Sequence, residues 1–142
     1  MNDPLRPLCM VCLCLAFVGC GGRAYEGAQR FPLSGKVTYD GEAVDAGTIS
    51  FLPLAGSKQR VSGGEIADGA YSVPEADGAN SGKYRVEIHW AKKTGKQHYD
   101  GELQMEVDDR REALPPRFHT ESELTADVSP KQTKFDFLLK SK

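Results

Sequence analysis

The chain has 142 residues, with 18 lysines and arginines against 20 acidic residues. Its formal net charge of −2 argues against nucleic-acid binding, which requires a basic stripe or patch. The four cysteines all lie near the start, at Cys9, Cys12, Cys14 and Cys20. A structural disulfide set or a zinc site would distribute its ligands through the folded domain. The cysteine positions therefore indicate a targeting segment. Because no disulfide is available to the domain, we expect packing and strand hydrogen bonds to hold it together.

The first segment is typical of a signal peptide. Residues 8–18 form an uninterrupted apolar run, too short to span a bilayer as a helix, which takes ~20 residues. The sequence FVGC at 17–20 resembles the bacterial lipobox, with Phe17 where leucine is usual. This resemblance implies that the Cys20 thiol receives a diacylglyceryl group and that residues 1–19 are removed as a lipoprotein signal peptide. The new amino group can then be acylated, so labelling with palmitate is expected.

Two other interpretations of this segment stay open. One is an ordinary secretory signal peptide cut nearby, with Cys20 left as a free thiol, and the other is an uncleaved anchor. A redox or metal motif at Cys9 and Cys12 is disfavoured, because both lie inside the apolar run. The lipoprotein interpretation predicts a lipid-anchored protein of the bacterial cell envelope. Gly21, directly after Cys20, favours the outer membrane, on its periplasmic face or at the surface.

Removal of residues 1–19 from the 142 leaves 123 residues, which suits one domain with its own core. Residues 21–30 are small and polar, and we predict a lipidated flexible tether over residues 20–32 and a single β-domain over residues 33–142. No second apolar run is long enough to span a membrane. Alternation of apolar and polar residues predicts strands at 33–39, 47–53, 61–67, 70–73, 83–91, 123–128 and 133–139.

The strand at 83–91 has the clearest alternation, with Tyr84, Val86, Ile88 and Trp90 on one face. We expect it to be central and to supply much of the core. Asp-Gly pairs at 40–41 and 68–69 predict tight turns, and no segment has a sustained helical period. About seven short strands joined by glycine-containing turns predict an all-β fold, a single antiparallel β-sandwich.

Several segments resemble carboxypeptidase regulatory-like domains, and the resemblance covers roughly residues 33–139. The matching segments are GKVTYDGEAV at 35–44, GTISF at 47–51, DGAYSV at 68–73 and GKYRV at 82–86. The tail, with LPPRF at 114–118 and SELTADV at 122–128, is similar to a subgroup of short bacterial lipoproteins built on this domain. The resemblance implies a transthyretin-like β-sandwich that serves as a non-catalytic accessory or adhesion-like module, in a subgroup of unknown function.

No motif in the sequence predicts an enzyme, a metal site or a cofactor. His89 lies on the polar face of its strand, and His98 and His119 fall in predicted loops without metal-ligand spacing. There is no G-x-S-x-G nucleophile motif, and Gly63-Gly64 lacks the lysine and helix of a phosphate loop. We therefore predict solvated histidines, no metal, no cofactor and no catalytic residue.

The segment 92–118 is long and mostly polar, and we predict a loop there with one short strand around 104–107. Trp90, Arg117 and Phe118 are the candidates for ligand or partner contact. Trp90 continues an apolar face and is more often a core residue, and Phe118 beside two prolines is more often an anchor.

The predicted function is a lipid-anchored cell-envelope protein whose non-catalytic β-sandwich holds an envelope protein or polysaccharide near the membrane. The membrane is contacted through the lipid anchor at Cys20, and no nucleic-acid partner is expected. The alternative is a carbohydrate- or small-ligand-binding domain that uses loop 92–118.

Replacement of the predicted lipidation site tests the targeting hypothesis. Cys20→Ala removes the acylated thiol and should release the protein from the membrane fraction, because stable anchoring requires the acyl chains. Membrane fractionation and metabolic labelling with palmitate measure the effect, with Cys14→Ala as the matched control. A Cys20→Ala protein that still labels with palmitate would show that the lipoprotein prediction is wrong.

Overall fold

A computed structural model describes residues 27–142. The predicted signal peptide and its lipidation site Cys20 lie outside the described residues, and lipidation stays a prediction. Within the described range, no helix is both long enough and apolar enough to cross a membrane.

Most of the described chain is β-strand and almost none of it is helix, which confirms the predicted all-β class. The strands are β1 (Arg30–Phe31), β2 (Leu33–Tyr39), β3 (Glu42–Ala43), β4 (Ala46–Pro53), β5 (Ser62–Ala67), β6 (Ala70–Val73), β7 (Ala79–Asn80), β8 (Gly82–Asp100), β9 (Met105–Glu112), β10 (Thr125–Val128) and β11 (Phe137–Leu139). Two short 3-10 helices span Glu75–Asp77 and Pro116–Phe118. The larger number of strands than predicted comes from short pairs and from a hairpin that the alternation pattern does not mark.

The main sheet follows the order β10-β8-β4-β5-β6-β2-β11, with β3 beside β2 and β9 beside β8. A separate short pair joins β1 to β7. The pairings are antiparallel except for β11, which runs parallel to β2 with Phe137 opposite Val37. The sequence predicted antiparallel pairing throughout. No hairpin joins these two strands, so no tight turn imposes an antiparallel direction on them.

The predicted core face of the strand at 83–91 is confirmed, although β8 lies next to the terminal strand β10 and not at the middle of the strand order. Tyr84, Val86, Ile88 and Trp90 of β8 are buried, and Trp90 is only 2% exposed. β4 and β10 flank this part of β8, with Ile49 opposite Ile88 across the β4–β8 pair. Most of the other core side chains come from the remaining strands: Leu33, Val37, Phe51, Ile66, Tyr71, Val73, Ala126, Val128, Phe137 and Leu139. Val44, Ala79, Leu114 and Phe118 join the same core from outside the predicted strands.

Two predicted Asp-Gly turns are present. Asp40 and Gly41 have φ values of 50° and 87°, and Asp68 and Gly69 have 50° and 76°. Positive φ at both central residues is the geometry of the two-residue turn that matches the twist of a hairpin. These turns join β2 to β3 and β5 to β6.

The predicted loop at 92–118 is mostly a β-hairpin. β8 continues beyond its buried half to Asp100 and pairs with β9, with Ala91 opposite Glu112 and Asp100 opposite Met105. We call residues 91–112 the arm. A register shift interrupts it between Lys93 and Gln97, where Gly95 has φ of 83°. The predicted short strand at 104–107 is therefore part of a longer strand, β9, which continues to Glu112.

Part of the predicted tether is paired with the domain. Arg30–Phe31 forms β1 against β7, and the Asn80 side chain donates hydrogen bonds to the carbonyls of Ala28 and Gln29 at 2.7 and 3.0 Å. The start of the described chain is therefore held at the end of the sheet where β8 begins.

Trp90→Ala should destabilise the domain by ~3–5 kcal/mol, because truncating a buried tryptophan removes apolar burial and leaves a cavity. Urea unfolding followed by far-ultraviolet circular dichroism measures the loss. Tyr99→Ala on the arm, where the side chain is exposed, is the control, with an expected change within ~0.5 kcal/mol. Equal stability of the two variants would contradict the core assignment of Trp90.

Candidate functional site: the arm and its root

The tip of the arm carries three exposed apolar side chains. Tyr99 and Leu103 are each 63% exposed, and Met105 is 54% exposed. The turn between the strands is ordered by Asp100, whose carboxylate accepts hydrogen bonds from the amides of Leu103 at 3.0 Å and Glu102 at 2.8 Å. These two hydrogen bonds hold the pKa of Asp100 below its usual range. The apolar tip is thus presented by a defined turn.

Cross-strand polar contacts join the two strands of the arm. Asp108 pairs with Lys93 at 2.6 Å and accepts a hydrogen bond from Gln97 at 3.0 Å, and these contacts lower its pKa. On the other face, His98 Nδ1 lies 2.5 Å from Asp109 Oδ1. Exposed ion pairs contribute little to stability individually. The ladder of backbone hydrogen bonds therefore has to hold most of the arm together.

Charge is distributed unevenly along the arm. The tip half carries the acidic residues Asp100, Glu102 and Glu106 beside the apolar side chains. The basic residues concentrate toward the root: Lys92, Lys93, Lys96, Arg110 and Arg111. A partner for the tip would accordingly combine an apolar surface with basic surroundings.

Glu112 holds the root of the arm against the core. Its carboxylate accepts hydrogen bonds from the amides of Trp90 at 3.1 Å and Leu114 at 2.9 Å, and from His89 Nδ1 at 2.7 Å. Burial of the carboxyl raises its pKa, but the hydrogen bonds from Leu114, Trp90 and His89 outweigh burial and leave the pKa lowered. One ionised side chain thus joins the end of β9 to the buried half of β8.

Trp90 also stabilises the root of the arm, through contacts that Glu112 does not make. Its indole N–H donates a 2.6 Å hydrogen bond to Asp45, which lowers the pKa of that carboxyl. Lys92 Nζ lies 4.4 Å from the centre of the Trp90 ring and 2.7 Å from Glu42 Oε2. Arg110 lies 3.6 Å from Asp45. The β8 strand of the arm is therefore tied to β3 through Glu42, and the β9 strand is tied to Asp45, between β3 and β4.

The three predicted contact residues occupy two different environments. Trp90 and Phe118 are buried, and each ring meets the edge or face of Tyr39, with ring centres 6.3 and 6.1 Å apart. Arg117 is exposed, and its guanidinium donates a hydrogen bond to the Lys140 carbonyl at 2.6 Å. Neither predicted aromatic offers an open face to a ligand, and Phe118 anchors its segment on the core.

The structure also brings together two histidines that are distant in the sequence. The rings of His89 and His119 stack with centres 4.8 Å apart, and His119 Nε2 lies 3.1 Å from the Leu114 carbonyl. The sequence predicted a loop at His98. His98 instead belongs to β8, because this strand extends into the arm. Within residues 27–142, no group of three or more histidine, cysteine or acidic residues could hold a metal ion.

The apolar tip was missed by the sequence analysis, although a signal for it was present. Asp100-Gly101 is an Asp-Gly pair like the two that correctly predict turns. Three apolar residues in an otherwise polar segment, placed around such a pair, are consistent with the end of a hairpin.

Comparisons with known proteins do not identify a relative: no family model, curated protein or solved structure matches the chain. The candidate site is therefore interpreted from its own geometry.

Glu112→Gln should lower the free energy of unfolding at pH 7 by ~1 kcal/mol, because the variant loses the charge on the acceptor but keeps an acceptor oxygen, and solvent partly screens a side chain that is 34% exposed. A depressed pKa in the folded state means that the ionised carboxylate stabilises the fold above its ordinary pKa, and that this contribution disappears as the pH falls through the depressed value. The difference between wild type and variant should therefore shrink from pH 5 toward pH 3.

Urea unfolding across that pH range provides the measurement. Glu106→Gln, at an exposed position of the same strand, is the control and should change stability by less than ~0.5 kcal/mol. A wild type–Glu112→Gln difference that does not change with pH would show that the carboxylate charge has no part in holding the root.

Proposed function

We propose that this protein is a lipid-anchored bacterial cell-envelope protein whose domain is a non-catalytic interaction module, with the arm as its contact element. Cys20 is the proposed lipidation site and the outer membrane the proposed location, on its periplasmic face or at the surface. The partner class is an envelope protein that receives the tip of the arm.

The proposed fold type is a transthyretin-like β-sandwich of the carboxypeptidase regulatory-like kind. The buried inward faces of strands at both ends of the sheet order support it, since Val128 of β10 and Leu139 of β11 belong to the same core. The two matching hairpin turns at Asp40-Gly41 and Asp68-Gly69 also support it. A core closed between two sheet faces is the arrangement that a sandwich requires.

The observation that carries the proposal is the apolar tip of the arm. Exposed apolar residues scattered singly need no explanation. Tyr99, Leu103 and Met105 are different because all three are exposed at the end of one projecting hairpin whose root is held by Glu112 and Trp90. The register pairs Met105 with Asp100 and Tyr99 with Glu106, so the tip presents an apolar side chain on each of its two faces. A pre-ordered contact element loses less conformational entropy on binding than a flexible loop does.

The position of the arm relative to the anchor supports a role away from the membrane. β1 lies at the end of the sheet where β8 begins, and Cys20 is at most ~25 Å of extended chain from Gly27. An ideal strand of the 19 residues of β8 would span ~60 Å from Gly82 to Asp100. If the domain is anchored through Cys20, the anchor is therefore near the start of β8, and the apolar tip is at the opposite end of that strand.

The second candidate function is carbohydrate or small-ligand binding through residues 92–118. A cavity of about 430 Å³ at the arm favours it, lined by Thr94, Lys96, Asp109, Arg110 and Arg111. Such a cavity would suit a charged ligand more than an apolar one. Binding of this kind would rely on the arm's charges and not on the rings of Trp90 and Phe118, which are buried.

Site-specific photocrosslinking in intact cells tests the interaction module. A photoreactive residue at position 103 should give a defined protein adduct, whereas the same residue at Leu138, which is 69% exposed on β11, should give none. The double variant Tyr99→Ser with Met105→Ser should reduce the adduct by ~10-fold or more, since apolar contacts at the centre of an interface dominate binding.

Unfolding measurements on the serine variant serve as the control and should match wild type within ~0.5 kcal/mol per exposed substitution. Equal adducts from positions 103 and 138, or adducts that survive the serine substitutions, would overturn the proposed role of the tip. Binding of a charged saccharide that depends on Arg111 would instead favour the second candidate.

A further inference from the structure

A second surface of the domain has the features of a ligand site and is separate from the arm. A cavity of about 610 Å³ lies on the side of β4 and β5 away from the core, and we call it the β4–β5 groove. Its polar lining consists of Thr48, Ser50, Arg60, Ser62, Asp77 and Arg30.

The floor of the groove is backbone and small hydroxyl side chains. Ser50 of β4 pairs with Gly63 of β5, and Ile49 pairs with Gly64. A Cβ at Gly63 would lie 2.3 Å from the Ile49 carbonyl oxygen, so this close approach of the two strands requires glycine. The two glycines add no side chain to the floor, and the hydroxyls of Thr48 and Ser50 make no hydrogen bond to any residue in the described range.

The walls of the groove are held in place by the domain itself. Ser62 Oγ donates a 2.7 Å hydrogen bond to the Asp77 carbonyl, which joins the first 3-10 helix to β5. The Arg60 amide donates to the Asn80 side chain at 3.3 Å, and the Arg30 guanidinium donates to the Ala76 carbonyl. Hydrogen bonds to neighbouring segments therefore hold β5, the end of the β4–β5 loop at Arg60, and β1 in place around the groove.

Arg60 is the group that gives the groove a ligand preference. Its guanidinium is exposed and makes no hydrogen bond or ion pair with any residue between Gly27 and Lys142. A guanidinium presents N–H donors in a planar fork that fits a carboxylate or a phosphate. Arg30 adds a second positive charge at the same cavity, and Asp77 supplies an acceptor for hydroxyl groups.

We propose that the β4–β5 groove binds a hydroxylated anion, in which a carboxylate or phosphate pairs with Arg60 and neighbouring hydroxyls bond to Thr48, Ser50 and Asp77. Uronic acids, sugar phosphates and the glycerol phosphate headgroup of a lipid share this chemistry. This site is independent of the arm, so its failure would leave the proposed contact role of the tip unaffected.

Calorimetric titration of the full-length Cys20→Ala protein with glucuronate and glucose 6-phosphate tests the proposal, with glucose as the neutral probe. Both anions should bind more tightly than glucose. Arg60→Gln should weaken their binding by ~10–100-fold, the loss expected for a charge-assisted hydrogen bond. Arg60→Lys should retain part of the affinity, because it keeps the charge and loses the fork.

Lys131→Gln is the matched control, since it removes an exposed cation that lines neither this groove nor the cavity at the arm and should leave the titration unchanged. Thermal unfolding of each variant shows whether the fold is intact. The proposal is overturned if neither anion binds, if glucose binds as tightly as glucuronate, or if Arg60→Gln and Lys131→Gln bind alike.

Vesicles distinguish the two sources of the ligand. Vesicles of phosphatidylglycerol that displace glucuronate from the unlipidated protein would assign the groove to a lipid headgroup, whereas phosphatidylcholine vesicles should not compete. If neither kind of vesicle competes while glucuronate binding depends on Arg60, the ligand is a soluble or polymeric acidic sugar.

Discussion

The structure depends on the continuity of one strand across the boundary between core and solvent. β8 begins at Gly82 between β4 and β10, where its alternate side chains are buried, and ends at Asp100 in the arm, where they are exposed. Backbone hydrogen bonds do not require burial on either face, so the ladder continues with β9 after the core has ended. The arm is thereby oriented by the same strand that organises the core.

The transition at the root requires additional contacts, because a two-stranded hairpin is only marginally stable by itself. The Glu112 carboxylate accepts hydrogen bonds from the Trp90 and Leu114 amides where the chain leaves β9. The Trp90 indole N–H donates a hydrogen bond to Asp45. These are hydrogen bonds to charged groups, which are stronger than neutral ones. The ion pairs farther out are exposed, so each contributes little to the stability of the arm.

The two proposed sites lie toward different parts of β8 and have different chemistry. The β4–β5 groove is polar, carries two arginines and lies beside β1, close to where the chain leads back to Cys20. The arm ends in apolar and acidic residues at the other end of β8. An anchored domain with this arrangement would have an anion-binding surface near its tether and a protein-contacting tip remote from it.

The sequence by itself determined the all-β class, the inward face of the strand at 83–91 and two hairpin turns. One face of this strand is buried, and an apolar residue at every second position is the pattern that predicts such a strand. The buried residues are Tyr84, Val86, Ile88 and Trp90. The lipobox-like sequence ending at Cys20 is likewise a short contiguous motif that can be recognised without a fold. Lipidation of Cys20 stays a prediction.

Only the tertiary structure decided the arm, the parallel β2–β11 pair, the His89–His119 stack and the groove beneath Arg60. The arm is solvated on both faces, so its residues have no apolar period to reveal the strand. The other three join segments far apart in the chain, and their contacts follow from the order of strands in the sheet. Local patterns carry no information on the spatial order of the strands, because strands with the same alternation can be arranged side by side in many different orders.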